Sequence, residues 1–503
     1  MGGKAMKSIS IRGVLGILGL WVAFAAWGYS SPVGSSPDDD FHIGSIWCAG
    51  GFETGLCEPN GDVTEVGEQP VLISVTRNFC YIYQPTSSGK CFEGEQATEL
   101  HPFRANAGLY PGGFYKAQHL FVGSDSFNSI YMMRLFNSAI AALFLGVALF
   151  AGNRSLRPGV MAAWTFTLVP LAMFIVPSTS PSSWAYIGLA TNWVFLYSAI
   201  KAQSAQDPRA VLNWIMYFAS AALCIFARSD AAVYVAFSSV LIGFIAIRSG
   251  APKRKFSLLA IAAVLVSAAT SLAMTNQGRN FEDGGAYSRA SDLHRLIYNT
   301  IHVIELPAGA LGVNWGLGWL DTVLPPIIGI VGICLIAAVT TVSLIEATRV
   351  RIFSIVALLA FAYSTISFVL NQGSYVIGEL VQPRYVLPLL PLFIAVVTMS
   401  NERFNFFVSG RVRMNLIISL LVTTNAMALF TNIRRYVTGT DRPLHLNLNE
   451  KVEWWWLESV SPNLLFAFGV AGFAIFLIFG WKLALVDQDY TKNVNDKSRI
   501  KPF

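Results

Sequence analysis

Charge is scarce in this sequence. Only 13% of its 503 residues are Asp, Glu, Lys or Arg, against about 25% in soluble domains. That scarcity excludes a soluble globular enzyme, a disordered chain and a solenoid of charged helices. HExxH, GxSxG, a Gly-rich phosphate loop and a dinucleotide fingerprint are all missing, so the common soluble catalytic motifs give no lead. No CxxC spacing occurs among the six cysteines, which argues against a zinc site. The sequence shows no internal repeat and no Gly/Pro-broken spans in matching halves, which counts against an inverted-repeat transporter. Ionisable residues within the apolar runs are few, so an ion-coupled pathway has little support.

Apolar residues are abundant instead, at 54% of the chain, with a mean hydropathy of +0.52. They recur in runs long enough to cross a bilayer, spread over nearly the whole length. The fold class is therefore an all-α polytopic membrane protein. Twelve spans are predicted, at roughly 12–30, 127–149, 159–177, 184–201, 210–227, 230–248, 256–274, 323–345, 353–371, 386–400, 414–432 and 463–482. The net charge of +6 does not point to nucleic acid, because the basic residues sit in short clusters between spans.

Those clusters set an orientation. Basic residues gather at the N-terminus (Lys4, Lys7, Arg12), in alternate short loops and in the tail, with few acids beside them. By the positive-inside rule both termini are cytoplasmic. The organisation that follows is a first span (1–30), an extracytoplasmic loop (31–126), six spans (127–274), a second outer loop (275–322), five more spans (323–482) with outer loops at 372–385 and 433–462, and a cytoplasmic tail (483–503). Cys48, Cys57, Cys80 and Cys91 all fall in the first outer loop, which suggests two disulfides. Cys48–Cys57 with Cys80–Cys91 is the nearest of three pairings. Within the same loop, Gln69–Tyr83 reads as strand or hairpin.

Just past the first span stand Asp38, Asp39, Asp40 and His42. Three adjacent carboxylates repel unless something holds them. One reading is a general base at the membrane surface, with the second acid or His42 binding an acceptor. A second is a solvated turn capping a helix through Asp40. A third, weaker reading is a divalent-cation site using Asp38 and Asp40. Arg384, before the tenth predicted span, suits a phosphate because its planar guanidinium stays charged and binds bidentately. A structural ion pair with Glu379 or Asp321 competes with that reading. Arg228 reads first as charge compensation for Asp230, and only second as part of a donor site. Arg434 and Arg435 read as a phosphate clamp or as partners for surface acids, and Trp454–Trp456 as membrane-surface anchors. Ser291–Leu306 carries Leu293, Leu296, Ile297, Ile301 and Ile304 at helical spacing, which predicts an amphipathic interface helix.

Four segments stand out, in order along the chain. Pro37-Asp38-Asp39-Asp40-Phe41-His42 resembles P-D-E-x-x-H, with Asp39 in place of Glu. Tyr110-Pro111-Gly112-Gly113-Phe114-Tyr115 is similar to Y-P-P-L-Y-Y with its second Pro lost. Gly318-Trp319-Leu320-Asp321-Thr322 matches G-W-L-D-T, and Gln382-Pro383-Arg384-Tyr385-Val386-Leu387-Pro388 is similar to Q-G-R-Y-x-x-P with Pro383 replacing Gly. Together they resemble a large family of bacterial polytopic membrane proteins catalogued as domain of unknown function 2142, related to the C-type glycosyltransferases.

The resemblance implies a C-type fold and an inverting sugar transfer from a polyprenyl-phosphate donor to a cell-envelope glycan or glycolipid, outside the bacterial cytoplasmic membrane. It implies Asp38 as the base and Asp39 as its helper, and it brings Trp319, Asp321 and Tyr385 into the substrate-binding set with His42, Arg384, Arg228, Arg434 and Arg435. The resemblance implies no required cofactor, a divalent cation being possible but not expected. The rivals are a flippase for lipid-linked glycans and a non-catalytic scaffold.

Overall fold

The computed structural model describes residues 2–61, 68–76, 79–92, 99–202, 207–250, 255–275, 292–379 and 381–499. Among these, nine helices are long and apolar enough to cross a membrane. They are α1 (Gly2–Tyr29, apolar from Ile11), α4 (Ser126–Ala151), α8 (Pro208–Ala227), α9 (Ser229–Arg248), α10 (Lys255–Met274), α13 (Pro326–Leu344), α14 (Arg349–Gln372), α18 (Arg411–Val437) and α19 (Pro462–Arg499, apolar to Leu485). Two short helices, α2 (Asp39–Trp47) and α3 (Gly113–His119), lie in the loop between α1 and α4.

The other three predicted spans take different forms. The run 159–177 is broken into α5 (Arg157–Thr165) and α6 (Pro170–Ile175), because Pro170 lacks the N–H that would continue the first helix and instead starts the second. The run 184–201 is one helix, α7 (Ser182–Lys201), but its Ser, Thr and Asn residues lower its hydropathy. It is buried from Ser182 to Ile200, where protein rather than lipid surrounds those polar groups. The run 386–400 shortens to ten residues in α16 (Leu389–Thr398), preceded by α15 (Pro383–Val386). Closely spaced prolines at 383, 388 and 391 interrupt it. A further short helix, α17 (Glu402–Ser409), precedes α18.

The bundle is closed by α1 against α19. A Cβ built on Gly19 would lie 2.7 Å from the Gly472 carbonyl oxygen, and one on Gly472 would lie 2.7 Å from that of Gly19. The two backbones touch there, as small residues permit between membrane helices. This seam fixes the end of α1, from which the motif-bearing loop departs.

That loop folds on a three-stranded antiparallel sheet, β1 (Cys57–Pro59), β2 (Glu68–Ile73) and β3 (His101–Asn106), with β2 in the centre. The expected strand is therefore present, but it ends at Ile73 and pairs with β1 and β3 instead of turning back on itself. Tyr81 leaves the sheet to be buried, and its hydroxyl donates to the Val33 carbonyl. Cys48 and Cys57 form the expected disulfide. Cys80 is also disulfide-bonded. The side chain of Cys91 lies outside the described residues.

The second long loop carries α11 (Asp292–His302) and α12 (Glu305–Ala310). Leu293, Leu296, Ile297, Ile301 and Ile304 are exposed, whereas Arg295 and Asn299 are buried. An apolar face turned outward suits a bilayer interface.

Replacing Gly19 by Val should lower the melting temperature of the detergent-purified protein, at a cost of about 1–3 kcal/mol for overpacking. Gly146→Ala should leave it unchanged, since a Cβ there meets only ordinary contacts with Ile17, the nearest at 3.6 Å.

Candidate functional site

The chain leaves α1 at Tyr29 but stays buried through Ser36, so its carbonyl groups need donors from elsewhere. Arg134, inside α4 and 2% exposed, supplies several of them. Its Nη1 donates to the Gly28 and Ser31 oxygens at 2.9 and 2.6 Å, and its Nη2 donates to the Pro32 oxygen at 2.9 Å. Trp456 Nε1 donates to the Tyr29 oxygen at 2.9 Å, and Trp319 Nε1 to the Gly34 oxygen at 2.9 Å. Asn432 Nδ2 donates to the Ser30 and Ser31 hydroxyls, both at 2.8 Å. The loop then delivers Asp38 in a left-handed conformation (φ 61°, ψ 22°) at the start of α2.

The three acids resolve their repulsion by pointing apart. Asp38 Oδ2 accepts from Arg384 Nη2 at 2.5 Å. Asp39 is fully buried; its carboxylate accepts from Thr179 Oγ1 at 2.6 Å and from the Ser36 N–H at 3.0 Å. Asp40 pairs with Arg104 on β3. The acids are thus neither a solvated turn nor an Asp40 cap. Asp38 stands at the cap position and makes no side-chain cap bond. Asp38 and Asp40, weighed as cation ligands, each bind an arginine. No group of three metal-ligating side chains occurs among the described residues.

Burial opposes the charge on Asp38, but Arg384, with help from Arg228, outweighs it and holds the carboxyl below its ordinary value. Asp39 goes the other way: burial dominates over Arg134, Thr179 and Ser36, and pushes it up to about 6. His42 is buried, which together with Arg384, Arg228 and Arg104 drives it down to about 3 against the pull of Asp38. It is therefore neutral, and its Nδ1 lies 3.0 Å from the Tyr115 hydroxyl.

Around this pair the motif residues gather. Arg384 is 5% exposed, while the Asp38 side chain is 37% exposed. Arg228 binds Asp230 through Nε and Nη2 at 2.8 and 2.9 Å, and Ser182 through Nη1 at 3.1 Å. Its guanidinium also lies over the Tyr385 ring at 4.5 Å and the Tyr110 ring at 5.8 Å. The Tyr110 ring meets the His42 ring edge-on at 5.7 Å. Asp38, His42, Tyr110, Tyr115, Arg228, Arg384 and Tyr385 thus form one cluster, neutral overall through two arginine–aspartate pairs.

Other candidate residues are used for support. Arg435 is buried against Asp321 at 2.9 Å and also donates to the carbonyls of Tyr81, Gln84 and Ser87. It is a staple between α18 and the first loop, which removes it from a phosphate clamp and removes Asp321 as the partner of Arg384. Arg434 donates to the Arg442 carbonyl. Trp319 is spent on Gly34 and packs against Tyr83. Trp454 packs on Phe92, and the Trp455 and Trp456 indole N–H groups bond to the Val460 and Tyr29 carbonyls. The triplet therefore anchors the loop to the protein. Sequence reasoning missed Arg134 and Thr179; a lone arginine within an apolar span was the available signal for the first.

A family described as predicted membrane protein, DUF2142, matches residues 21–393. The chain belongs to it. The matched range contains Asp38, His42, Tyr110, Arg134, Trp319 and Arg384, the residues that build the cluster and its support. No curated protein and no solved structure matches the chain.

Asp39 supports a pH test. Its carboxyl keeps a proton to about pH 6 when folded, against an ordinary value of 3.8. The folded chain therefore binds more protons between those values, and Asp39 makes stability fall as pH rises through that window. In melting curves from pH 4 to 7, Asp39→Asn should lack this part of the decline; parallel curves for the two proteins would refute the assignment.

Proposed function

We propose that this DUF2142 protein is a membrane glycosyltransferase of the C type. It moves a sugar from a polyprenyl-phosphate donor to a cell-envelope glycan or glycolipid hydroxyl, on the extracytoplasmic side of a bacterial cytoplasmic membrane. The observation that carries the reading is the pairing of a half-exposed carboxylate, Asp38, with a buried guanidinium, Arg384, at one place on the chain's loop face. Family membership and the convergence of the four motifs support it. The side of the membrane rests on the positive-inside rule.

In this reading the acceptor oxygen attacks the anomeric carbon from the face opposite the phosphate. The new C–O bond forms as the bond from that carbon to the phosphate oxygen breaks, so configuration inverts. The bonding pair leaves on the phosphate, whose charge Arg384 meets. The hydroxyl proton passes to Asp38, which is ionised at neutral pH. The fixed guanidinium does the electrostatic work, so the reading requires no metal. His42, neutral and held by Tyr115, orients the acceptor side of the site. Arg228, with Tyr110 and Tyr385, walls the donor side. Asp39 acts through the loop that it pins to Thr179.

The test is sugar transfer by purified protein in lipid nanodiscs, with a polyprenyl-phosphate sugar as donor. Asp38→Asn should reduce turnover roughly 10²–10⁴-fold, the range for loss of a general base, while its melting temperature stays within a few degrees of wild type. Unimpaired turnover in Asp38→Asn would remove Asp38 from the mechanism. Movement of the intact lipid across liposomes, without any transfer product, would favour a flippase.

A further inference from the structure

Arg384 holds more capacity than the free protein uses. Its Nη2 is bound to Asp38, but Nε and Nη1 are buried without a hydrogen-bond partner. Buried donors without acceptors cost stability, and a guanidinium has five N–H groups to satisfy. A guanidinium offers two bidentate edges, and both include Nη2. Asp38 takes one Nη2 hydrogen, so one edge is left open. Such an edge fits two oxygens of a phosphate ester.

The charges nearby restrict how that edge is filled. Arg228 is already matched by Asp230, and Asp38 matches Arg384. A phosphate added to this neutral, largely buried cluster would face the Asp38 carboxylate across a single guanidinium. Two anions that close in a poorly solvated site repel strongly. Asp38 makes no cap bond to α2 and is partly open to solvent, so it is free to withdraw. While bound to Arg384, the same carboxylate is a poor proton acceptor.

We propose that the Asp38–Arg384 ion pair is a latch over a phosphate-ester seat, so that the lipid phosphate binds first and its arrival frees Asp38 for the acceptor. The inference rests on the glycosyltransferase reading and adds an order of binding to it. The phosphate competes with Asp38 for Arg384, and the displaced carboxylate regains the basicity that the ion pair suppressed. An acceptor arriving before the donor finds the carboxylate engaged.

The test uses the full chain in nanodiscs and a sugar-free polyprenyl phosphate as probe. Asp38→Asn should bind the probe at least 10-fold more tightly than wild type, and Arg384→Gln at least 10-fold more weakly. Asp38→Glu, which keeps the charge, should bind it within a few-fold of wild type. In wild-type kinetics, a dead-end acceptor analogue should be uncompetitive against the donor, as ordered addition requires. Equal probe affinity in wild type and Asp38→Asn would overturn the latch, as would acceptor binding in the absence of donor. Inorganic phosphate displacing the probe at equal concentration would overturn the lipid assignment. A wild type that transfers no sugar, with probe binding still tightened in Asp38→Asn, would sink the transferase reading while the latch stands.

Discussion

Backbone that leaves a helix inside a membrane protein must find hydrogen-bond donors within the protein. The segment after α1 meets that constraint with partners drawn from across the sequence. Arg134 comes from α4, Tyr81 from the first loop, Trp319 from the turn before α13, Asn432 from α18 and Trp456 from the last loop. Each partner is distant in sequence from residues 29–35, so the segment can take its shape only when the whole bundle has assembled. Asp38 inherits its position from that network. The left-handed backbone at Asp38 is the visible residue of it, since a non-glycine residue holds such a conformation only where its surroundings impose it.

The three acids show how one short run can serve three purposes. Successive residues at the start of a helix point roughly 100° apart, so neighbours in sequence are not neighbours in direction. Asp39 faces inward to Thr179, Asp40 faces the sheet and Arg104, and Asp38 faces Arg384. Two of the acids therefore lock the start of α2 to the bundle and to the sheet, and the third is left over for chemistry. Arg384, the cation of the Asp38 pair, keeps two buried donor nitrogens, Nε and Nη1, without a hydrogen-bond partner.

Much of the frame was legible in the sequence because long apolar runs and charge clusters are local signals. The nine apolar spans, the Cys48–Cys57 pairing and the outward apolar face of α11 all follow from patterns within a few turns of chain. The broken third span was signalled by Pro170, but an apolar run of spanning length hid it. The site was legible only in part. The four motifs identified Asp38 and Arg384 separately, and nothing in a single sequence states that residues 346 positions apart touch. Arg435 looked like a ligand-binding cation because its charge was visible and its burial against Asp321 was not. Arg134's charge inside an apolar span was visible, but its partners are backbone carbonyls, which carry no sequence signal.

The Arg384 segment is held from its other side by α11. Asn299 of α11 donates through Nδ2 to the Tyr375 oxygen at 3.2 Å and accepts at Oδ1 from the Ile377 N–H at 2.9 Å. Leu306, Ile366, Leu370, Ile377, Val381 and Val386 then form a small apolar cluster, with Val303 and Tyr385 packed on it. The polar face of α11 thus grips the turn that leads to Arg384, while its apolar face stays outward. A helix arranged this way is stable only if something apolar covers that outer face, because exposure of five large aliphatic side chains to water would favour turning them inward. A bilayer interface would meet that need. The position of the guanidinium is therefore tied both to the protein network that fixes Asp38 and to α11, whose polar face holds the turn before it.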